Sequence, residues 1–216
     1  MKTSVALSNQ AESSVLLRKI LLACGLLSSL WYVFINIYVP TQYEGYSQLT
    51  LTVSELSAIG APTRKLWITL VAFYPILFAA FGVGVLQSAG NNRPLRVVGV
   101  LIIVYCIFNV YWPPMHQRGQ VPTLTDTLHI VWASVTVLFM MVMMGFGAAS
   151  FGKAFRIFTI VSIAFHVVFG ILTSLEAPNI PTNGPTPTIG LWERINIGVF
   201  MLWVAVLSIV IARRGS

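Results

Sequence analysis

Two short segments of the chain carry acidic and basic side chains where an apolar run begins. Asp126 and His129 are three residues apart, a spacing that places both on one face of a helix. Glu193 and Arg194 are adjacent at the start of a segment that stays apolar as far as Ile211. A charge costs roughly 2.5–3.5 kcal/mol at the centre of a membrane helix and less near its end. Charges at these positions therefore need either a structural or a functional explanation.

Two interpretations fit Asp126 and His129. In the functional one, the Asp126 carboxylate orients the His129 imidazole for acid–base catalysis, and Glu193 completes the predicted catalytic group. In the structural one, Asp126 or the preceding Thr125 caps a helix, and His129 is an interfacial histidine with a satisfied hydrogen bond. The spacing is compatible with both.

A second set of polar residues is predicted to bind a substrate. An arginine can hold an anionic headgroup or a carboxylate such as Glu55 or Asp126, whereas a snorkelling arginine only extends towards water. Glu193 lies three residues before Asn196 and can share its helical face. The predicted substrate-binding residues are Arg194, Arg64, Glu55, His116 and Asn196.

Three further possibilities remain open in the same region. Asp126, His129, His116 and Glu55 would together supply enough ligands for Zn²⁺. The sequence has no HExxH motif and no paired CxxC motifs, however, so metal and cofactor stay unassigned. Ser54 and Ser57 are candidate nucleophiles with His116 or His129 as the base, although no GxSxG motif supports them. His166, near mid-membrane, either hydrogen-bonds a neighbouring helix or relays protons.

The composition identifies the kind of element that must position these residues. Of 216 residues, 56% are hydrophobic and only 9% are charged, and the mean hydropathy is +0.82. A soluble domain usually has about 25% charged residues. The chain is therefore predicted to be an all-α membrane protein. Its net charge of +7 is spread over short pairs at segment ends, without a basic patch that would indicate nucleic-acid binding.

Six spans of about 20 residues can be drawn, which predicts a bundle of six transmembrane helices in a single polytopic domain. Residues 1–19 form a cytoplasmic tail in this prediction. Pro75 is expected to kink the second span. The spans cover about 20–39, 66–86, 95–112, 128–149, 154–175 and 191–211.

The basic residues predict the orientation of the bundle. If the N-terminus is inside, nine of the thirteen basic residues and one acid lie on the inner side, and four basic residues and five acids lie outside. This is a positive-inside bias, so both termini are predicted to be cytoplasmic and the protein to lie in a prokaryotic plasma membrane. Polar residues at similar depth in the outer halves of the spans suggest one pocket that opens outward. They are Asn36, Asn109, His129 and Asn196.

Three of the segments above resemble a known family of prokaryotic integral membrane proteins, the domain of unknown function 998. The resemblance is carried by residues 54–64 (SELSAIGAPTR), 126–129 (DTLH) and 190–195 (GLWERI), in this order around six spans. It implies a six-helix type of membrane protein without an agreed activity and assigns no catalytic role. A more distant similarity to Frag1-type membrane proteins, which are linked to lipid-anchor remodelling, favours lipid chemistry.

Three functions follow as hypotheses. The first is a membrane-embedded hydrolase or transferase acting on a lipid or another amphiphile, with membrane lipids as partners and an anionic lipid or amphiphile as the ligand. The second is a non-catalytic binding or scaffold protein, for which all charges should pair and leave no cavity. The third is a small-solute transporter, which is less favoured because the inner halves of the spans have almost no polar residues.

Overall fold

A computed structural model describes the backbone of residues 2–214 and the side chains of residues 13–214. Within this part of the chain the regular structure is helical, with a single isolated bridge between Ile59 and His116. The α-helices are α1 (Lys2–Tyr38), α2 (Arg64–Val71), α3 (Phe73–Ser88), α4 (Arg93–Phe108), α5 (Leu124–Ser150), α6 (Lys153–Glu176) and α7 (Ile189–Arg214). Short 3₁₀ helices cover Val39–Gln42, Ser54–Ser57 and Ala177–Asn179.

Five of the described helical segments are long and apolar enough to cross a membrane, so the chain is a multi-pass membrane protein. They are Ser13–Gln42, Arg64–Ser88, Leu124–Ser150, Lys153–Asn179 and Ile189–Arg214. The third predicted span corresponds to α4, which ends at Phe108 before the expected limit. Its 16 residues reach roughly 24 Å, less than the ~30 Å of a bilayer core.

Two other predicted elements differ in detail. The second span is divided into α2 and α3 at Ala72, three residues before Pro75. Proline has no N–H to give to the carbonyl four residues earlier, so an interruption at this place is expected. Residues 2–19, predicted as a tail, continue α1 without a break.

The helices close into a ring. α1 packs against α3, and α3, α4, α5, α6 and α7 follow in chain order until α7 returns to α1. Aromatic side chains from three helices meet inside the ring, where Phe78 contacts Tyr105 and Phe200 edge to face at centroid distances of 5.6 and 6.2 Å. Apart from its two ends, a helix bonds its backbone polar groups within itself, which is why a helical ring suits a lipid environment.

The two ends of the bundle differ. The loop face carries the long connections, residues 39–63, 109–123 and 177–188, whereas the terminal face carries residues 89–92, 151–152 and the end of α7. Ser208 of α7 donates a hydrogen bond to the carbonyl of Leu22 at 2.7 Å, so the first part of α1 also lies towards the terminal face. Most residues that the sequence singles out lie at the loop face.

Candidate functional site

Residues 39–63 fold back over the ends of the helices at the loop face and have their own small core. Ile35 from the end of α1 meets Val39, Val53 and Leu56 from the connection and Trp67 from α2. All five side chains are buried. Burial of this apolar surface holds the 3₁₀ helix Ser54–Ser57 against the bundle.

A buried ion pair joins the three connections of the loop face. The guanidinium of Arg118 binds the Glu55 carboxylate with two nitrogens, and the two side chains are only 14% and 7% exposed. Arg118 also donates to the Thr186 hydroxyl at 2.7 Å and to the Thr50 carbonyl at 2.9 Å. The backbone N–H of Thr52 completes the shell of the carboxylate at 2.6 Å. The arginine thus holds residues from all three connections together.

Two charged residues near the start of α7 bind the same connection. Arg194 donates to the carbonyls of Gln48 and Leu51 at 2.9 and 3.1 Å and to the Tyr46 hydroxyl at 2.7 Å. Glu193 accepts a hydrogen bond from the backbone N–H of Val53. Arg194 therefore binds backbone carbonyls, where the sequence suggested a headgroup or a carboxylate such as Glu55 or Asp126.

Gly190 and Tyr46 allow the connection to lie close to α7. A Cβ atom added to Gly190 would collide with the carbonyl oxygens of Leu51 and Gln48, so only glycine allows the connection to approach the helix. The Tyr46 hydroxyl donates to the carbonyl of Thr52 at 2.5 Å. Burial raises the pKa of Tyr46 above its ordinary value, so the hydroxyl keeps the proton that this bond needs.

Asp126 acts locally at the start of α5, where Thr123 is the N-cap instead of the expected Thr125 or Asp126, and Asp126 completes a capping box. Its carboxylate accepts the backbone N–H of Thr123 at 2.8 Å and that of His116 at 2.7 Å. The Thr123 hydroxyl donates to Oδ2 at 2.9 Å, and Nδ1 of the His116 ring lies 2.9 Å from the same oxygen. The hydrogen bonds of Asp126 thus go to His116 and Thr123 instead of to His129, although Asp126 and His129 are one helical turn apart.

His129 is paired with a serine. Its Nε2 lies 3.0 Å from the Oγ of Ser54, and its Nδ1 lies 2.7 Å from the carbonyl oxygen of Pro113. The two contacts of Nδ1 require opposite tautomers: the Pro113 carbonyl can only accept and needs a proton on Nδ1, whereas the Trp112 N–H, 3.1 Å away, can only donate and needs the lone pair of Nδ1. The carbonyl contact is the shorter of the two, so we assign the proton to Nδ1, which leaves the lone pair of Nε2 to accept the Ser54 hydroxyl. The Trp112 ring packs edge to face on the imidazole.

The side chains of Glu193 and Arg118 bind the two residues that flank Ser54. Glu193 binds the backbone N–H of Val53, and Arg118 binds the side chain of Glu55. His129 is 7% exposed, and Ser54 is partly buried. Ser54 thus lies in a segment that acidic and basic side chains hold on both sides, and His129 reaches its hydroxyl from α5.

The remaining predicted residues lie apart from this pair. Arg64 donates to the Ser57 carbonyl and, with Lys65 and Gly60, lines a cavity of about 490 Å³ beside α2. Asn196 is buried between α6 and α7, where its amide donates to the His166 carbonyl and its own carbonyl lies 3.1 Å from the His166 ring. His166 thus bonds a neighbouring helix, as one of its two interpretations expected.

The polar residues expected to line one outward pocket are dispersed. Asn36 donates to the Tyr32 carbonyl within α1, and Asn109 donates to the Tyr105 carbonyl in α4. Neither of the two best-formed cavities among the described residues is lined by them. Residues 13–214 contain no group of three or more His, Cys, Asp or Glu side chains that could hold a metal ion.

Sequence reasoning overlooked two of the residues that form this site. Arg118 and Tyr46 lie in loops without a motif, and their partners are distant in the chain. Only two local signals pointed to these contacts. They are the alternation of polar and apolar residues over 48–53 and the isolated positive charge of Arg118 in a connection on the acidic side of the protein.

A comparison with protein-family models identifies the family of the chain. The model described as "Protein of unknown function (DUF998)" matches residues 26–210, a range that includes Ser54, His129 and the first turn of α7. No curated protein and no solved structure matches the chain. The similarity to Frag1-type proteins stays an expectation. Because the family model covers most of the sequence, the chain belongs to the DUF998 family of membrane proteins.

Proposed function

We propose that the protein is a membrane-embedded hydrolase or acyltransferase in which Ser54 is the nucleophile and His129 is the general base. The observation that carries the proposal is the 3.0 Å distance between the Ser54 Oγ and the His129 Nε2. A serine is a weak nucleophile until a base within hydrogen-bond reach can take its proton. The Pro113 carbonyl orients the imidazole as the third group of such a site does.

The proposed step is acyl transfer. Ser54 Oγ attacks the carbonyl carbon of an ester while its proton passes to His129 Nε2. The carbon–oxygen bond of the ester then breaks, and the leaving alcohol takes the proton from the imidazolium. Water, or the hydroxyl of a second lipid in a transferase, loses a proton to His129 and cleaves the acyl-serine, which restores both side chains.

The charged residues have a positioning role in this proposal. Glu193, Arg118 and Glu55 fix the backbone on either side of Ser54, and Asp126 fixes the start of the helix that carries His129. Catalytic groups must be held to within about 0.5 Å of the productive geometry. Asp126 and Glu193, predicted as catalytic from the sequence, are thus assigned here to positioning, and His129 keeps its predicted role.

The proposed substrate is an acylated lipid or another amphiphile at the loop face. The pair lies at the loop face, where the apolar bundle ends. Arg64 and Lys65 line a cavity beside α2, and Arg64 also bonds the carbonyl of Ser57 in the 3₁₀ helix that carries Ser54, so we assign the anionic headgroup to these two cations.

A fluorophosphonate probe tests the proposal, because it reacts covalently with activated serines. The purified full-length protein should be labelled at Ser54, and the modified peptide can be located by mass spectrometry. Ser54→Ala should abolish labelling, and His129→Gln should slow it by at least about 100-fold, the usual contribution of a general base. Ser57→Ala is the matched control, since Ser57 lies in the same turn and its hydroxyl donates to the Ser54 carbonyl.

The alternative is a non-catalytic binding or scaffold protein. It is favoured by the observation that Glu55, Asp126, Glu193 and Arg194 all have hydrogen-bond partners within the chain. In that case wild-type protein that is folded and monodisperse would show no labelling of Ser54, or the same labelling after His129→Gln. Either result would refute the enzyme hypothesis. A small-solute transporter is the least supported alternative.

We further propose that α4 is a sixth span and that both termini are cytoplasmic, in a prokaryotic plasma membrane. Within residues 13–214 the terminal face carries eight Lys and Arg residues without an Asp or Glu, and the loop face carries four with five acids. In a background with Ala at Cys24 and Cys106, an impermeant maleimide on intact cells should label Val121→Cys at the loop face. Gly152→Cys should stay unlabelled; the reverse pattern would contradict this orientation.

A further inference from the structure

We propose that a cleft at the terminal face binds one anionic phospholipid. The cleft has a volume of about 480 Å³ and lies between the start of α6 and the last turns of α7. Its walls are apolar, and two cations stand at its rim. The apolar lining residues are Phe151, Phe155, Phe158, Val206 and Val210, and the cations are Lys153 and Arg214.

The floor of the cleft is a rigid aromatic surface. Phe151 and Phe155 are 7% and 8% exposed, and their rings meet edge to face with centroids 5.0 Å apart. Phe155 also packs on Trp203, a fully buried residue of α7. Phe158, Val206 and Val210 are partly exposed along the helices that border the cleft. These side chains offer an acyl chain an apolar surface that continues down the outside of the bundle.

The two cations are placed where the headgroup of such a lipid would lie. The guanidinium of Arg214 stands 4.6 Å from the centroid of the Phe151 ring, so a cation–π contact holds it at the end of the cleft. Lys153 is exposed at the first position of α6 and lines the same cleft. A phosphate at the cleft would be attracted by both cations while its chains lie on the phenylalanines.

Charge complementarity identifies the occupant as anionic. Within residues 13–214 every Asp and Glu lies in the loop-face connections or within five residues of the loop-face end of a helix, so no carboxylate of the described chain competes for these cations. A soluble anion would gain nothing from the apolar walls. A zwitterionic lipid would bring its own cation to a cationic rim. A phospholipid with net negative charge satisfies both parts of the cleft.

This site is independent of the proposed acyl transfer. It lies at the opposite end of the bundle from Ser54 and His129, and its residues take no part in that chemistry. Its failure would leave the serine proposal unchanged, and a protein without fluorophosphonate labelling could still bind the lipid.

Native mass spectrometry of the full-length protein tests the proposal. The protein in detergent is titrated with phosphatidylglycerol and, separately, with phosphatidylcholine of the same acyl chains. The first should bind at least about tenfold more tightly as a single adduct. Lys153→Gln combined with Arg214→Gln should weaken phosphatidylglycerol binding by about tenfold or more, because each basic residue near an anionic lipid contributes about 1 kcal/mol, which is roughly fivefold in affinity.

Two further variants distinguish specific lipid binding in the cleft from non-specific attraction to a positively charged surface. Arg96→Gln is the matched control, since Arg96 is an exposed cation of the same face that bonds the Gly90 carbonyl and does not line the cleft. It should leave the affinity unchanged. Val210→Trp keeps both cations but fills the cleft, and it should also weaken binding.

Three results would overturn the proposal. They are equal affinity for the two lipids, an equal loss in Arg96→Gln and in the double variant, and full affinity in Val210→Trp. All four substituted positions are exposed or partly exposed, and unchanged elution in size-exclusion chromatography would show that a loss is not due to misfolding.

Discussion

The loop face and the terminal face use charge in different ways. At the loop face, Arg118 bonds the Thr50 carbonyl across 68 positions of sequence, and Arg194 bonds the Gln48 carbonyl across 146. At the terminal face, Arg96 bonds the Gly90 carbonyl six positions away, and Arg156 bonds the Ala148 carbonyl eight positions away. Hydrogen bonds of arginine side chains thus build tertiary structure at the loop face, whereas those of Arg96 and Arg156 at the terminal face stay local.

The difference follows from the length of the connections. Residues 89–92 and 151–152 only turn the chain, so their backbone groups need few partners. Residues 39–63 are long and bury backbone carbonyls, and a buried carbonyl without a partner is costly. Arginine can satisfy several carbonyls at once because its planar group has five N–H donors. The loop face therefore depends on particular charged residues, and the terminal face should tolerate their loss.

The largest effect should come from Arg118→Met. It leaves the buried Glu55 carboxylate without its ionic partner, which typically costs about 3–5 kcal/mol. The free energy of unfolding, measured by titration with sodium dodecyl sulfate in mixed micelles, should fall by that amount. Fluorophosphonate labelling should fall as well if Glu55 holds Ser54 in place.

Arg156→Met at the terminal face is the matched control and should change the unfolding free energy by less than about 0.5 kcal/mol. The double variant Arg118→Met, Glu55→Gln should recover part of the loss because it removes the unpaired charge. Equal effects of Arg118→Met and Arg156→Met would show that the two faces do not differ in this way.

Sequence reasoning succeeds where structure depends on neighbours in the chain. The apolar runs locate the helices and the approximate start of α5. The predicted N-cap, Thr125 or Asp126, was wrong by two or three residues, because Thr123 is the N-cap and Asp126 completes its capping box. The division at Ala72 follows from Pro75. The charge pattern also selects the loop face as the end with unusual chemistry. These features need only local periodicity, helix termini and the properties of proline.

The pairing of side chains within the loop face could not be predicted in the same way. Ser54 and His129 are 75 positions apart, and Arg118 and Glu55 are 63 apart. Their contacts depend on how long irregular connections fold back on the bundle. Helical spacing suggests an Asp126–His129 pair, but the carboxylate at a helix start is drawn to backbone N–H groups, and here it bonds those of Thr123 and His116.

A smaller effect is expected for Gly190→Ala. The added Cβ would collide with the carbonyl oxygens of Leu51 and Gln48, so the connection must move away from α7. Overpacking of this kind costs about 1–3 kcal/mol, which the same titration measures. Gly198→Ala in the same helix is the control because its Cβ would meet nothing within 4 Å. It should be neutral or stabilising by up to about 1 kcal/mol, and similar losses in both variants would argue against a close contact at Gly190.

The smallest effect, and the most specific, is expected for Tyr46→Phe. The change removes a donor to the Thr52 carbonyl and an acceptor for Arg194, which keeps its bonds to backbone carbonyls. A loss of about 1 kcal/mol in the unfolding free energy should follow. Tyr38→Phe, at an exposed tyrosine at the end of α1, is the control and should lose less than about 0.5 kcal/mol.

The pH dependence of this loss separates the buried hydroxyl from a simple packing change. Burial raises the pKa of Tyr46 in the folded protein, whereas the unfolded chain releases that proton near pH 10. The unfolded state therefore binds fewer protons above pH 10, and the contribution of Tyr46 to stability is complete below that pH and decreases above it. The difference between wild type and Tyr46→Phe should shrink as the pH rises from 9 to 11. A difference that stays constant over this range would mean that the hydroxyl is exposed and that Arg194 holds the connection through carbonyls alone.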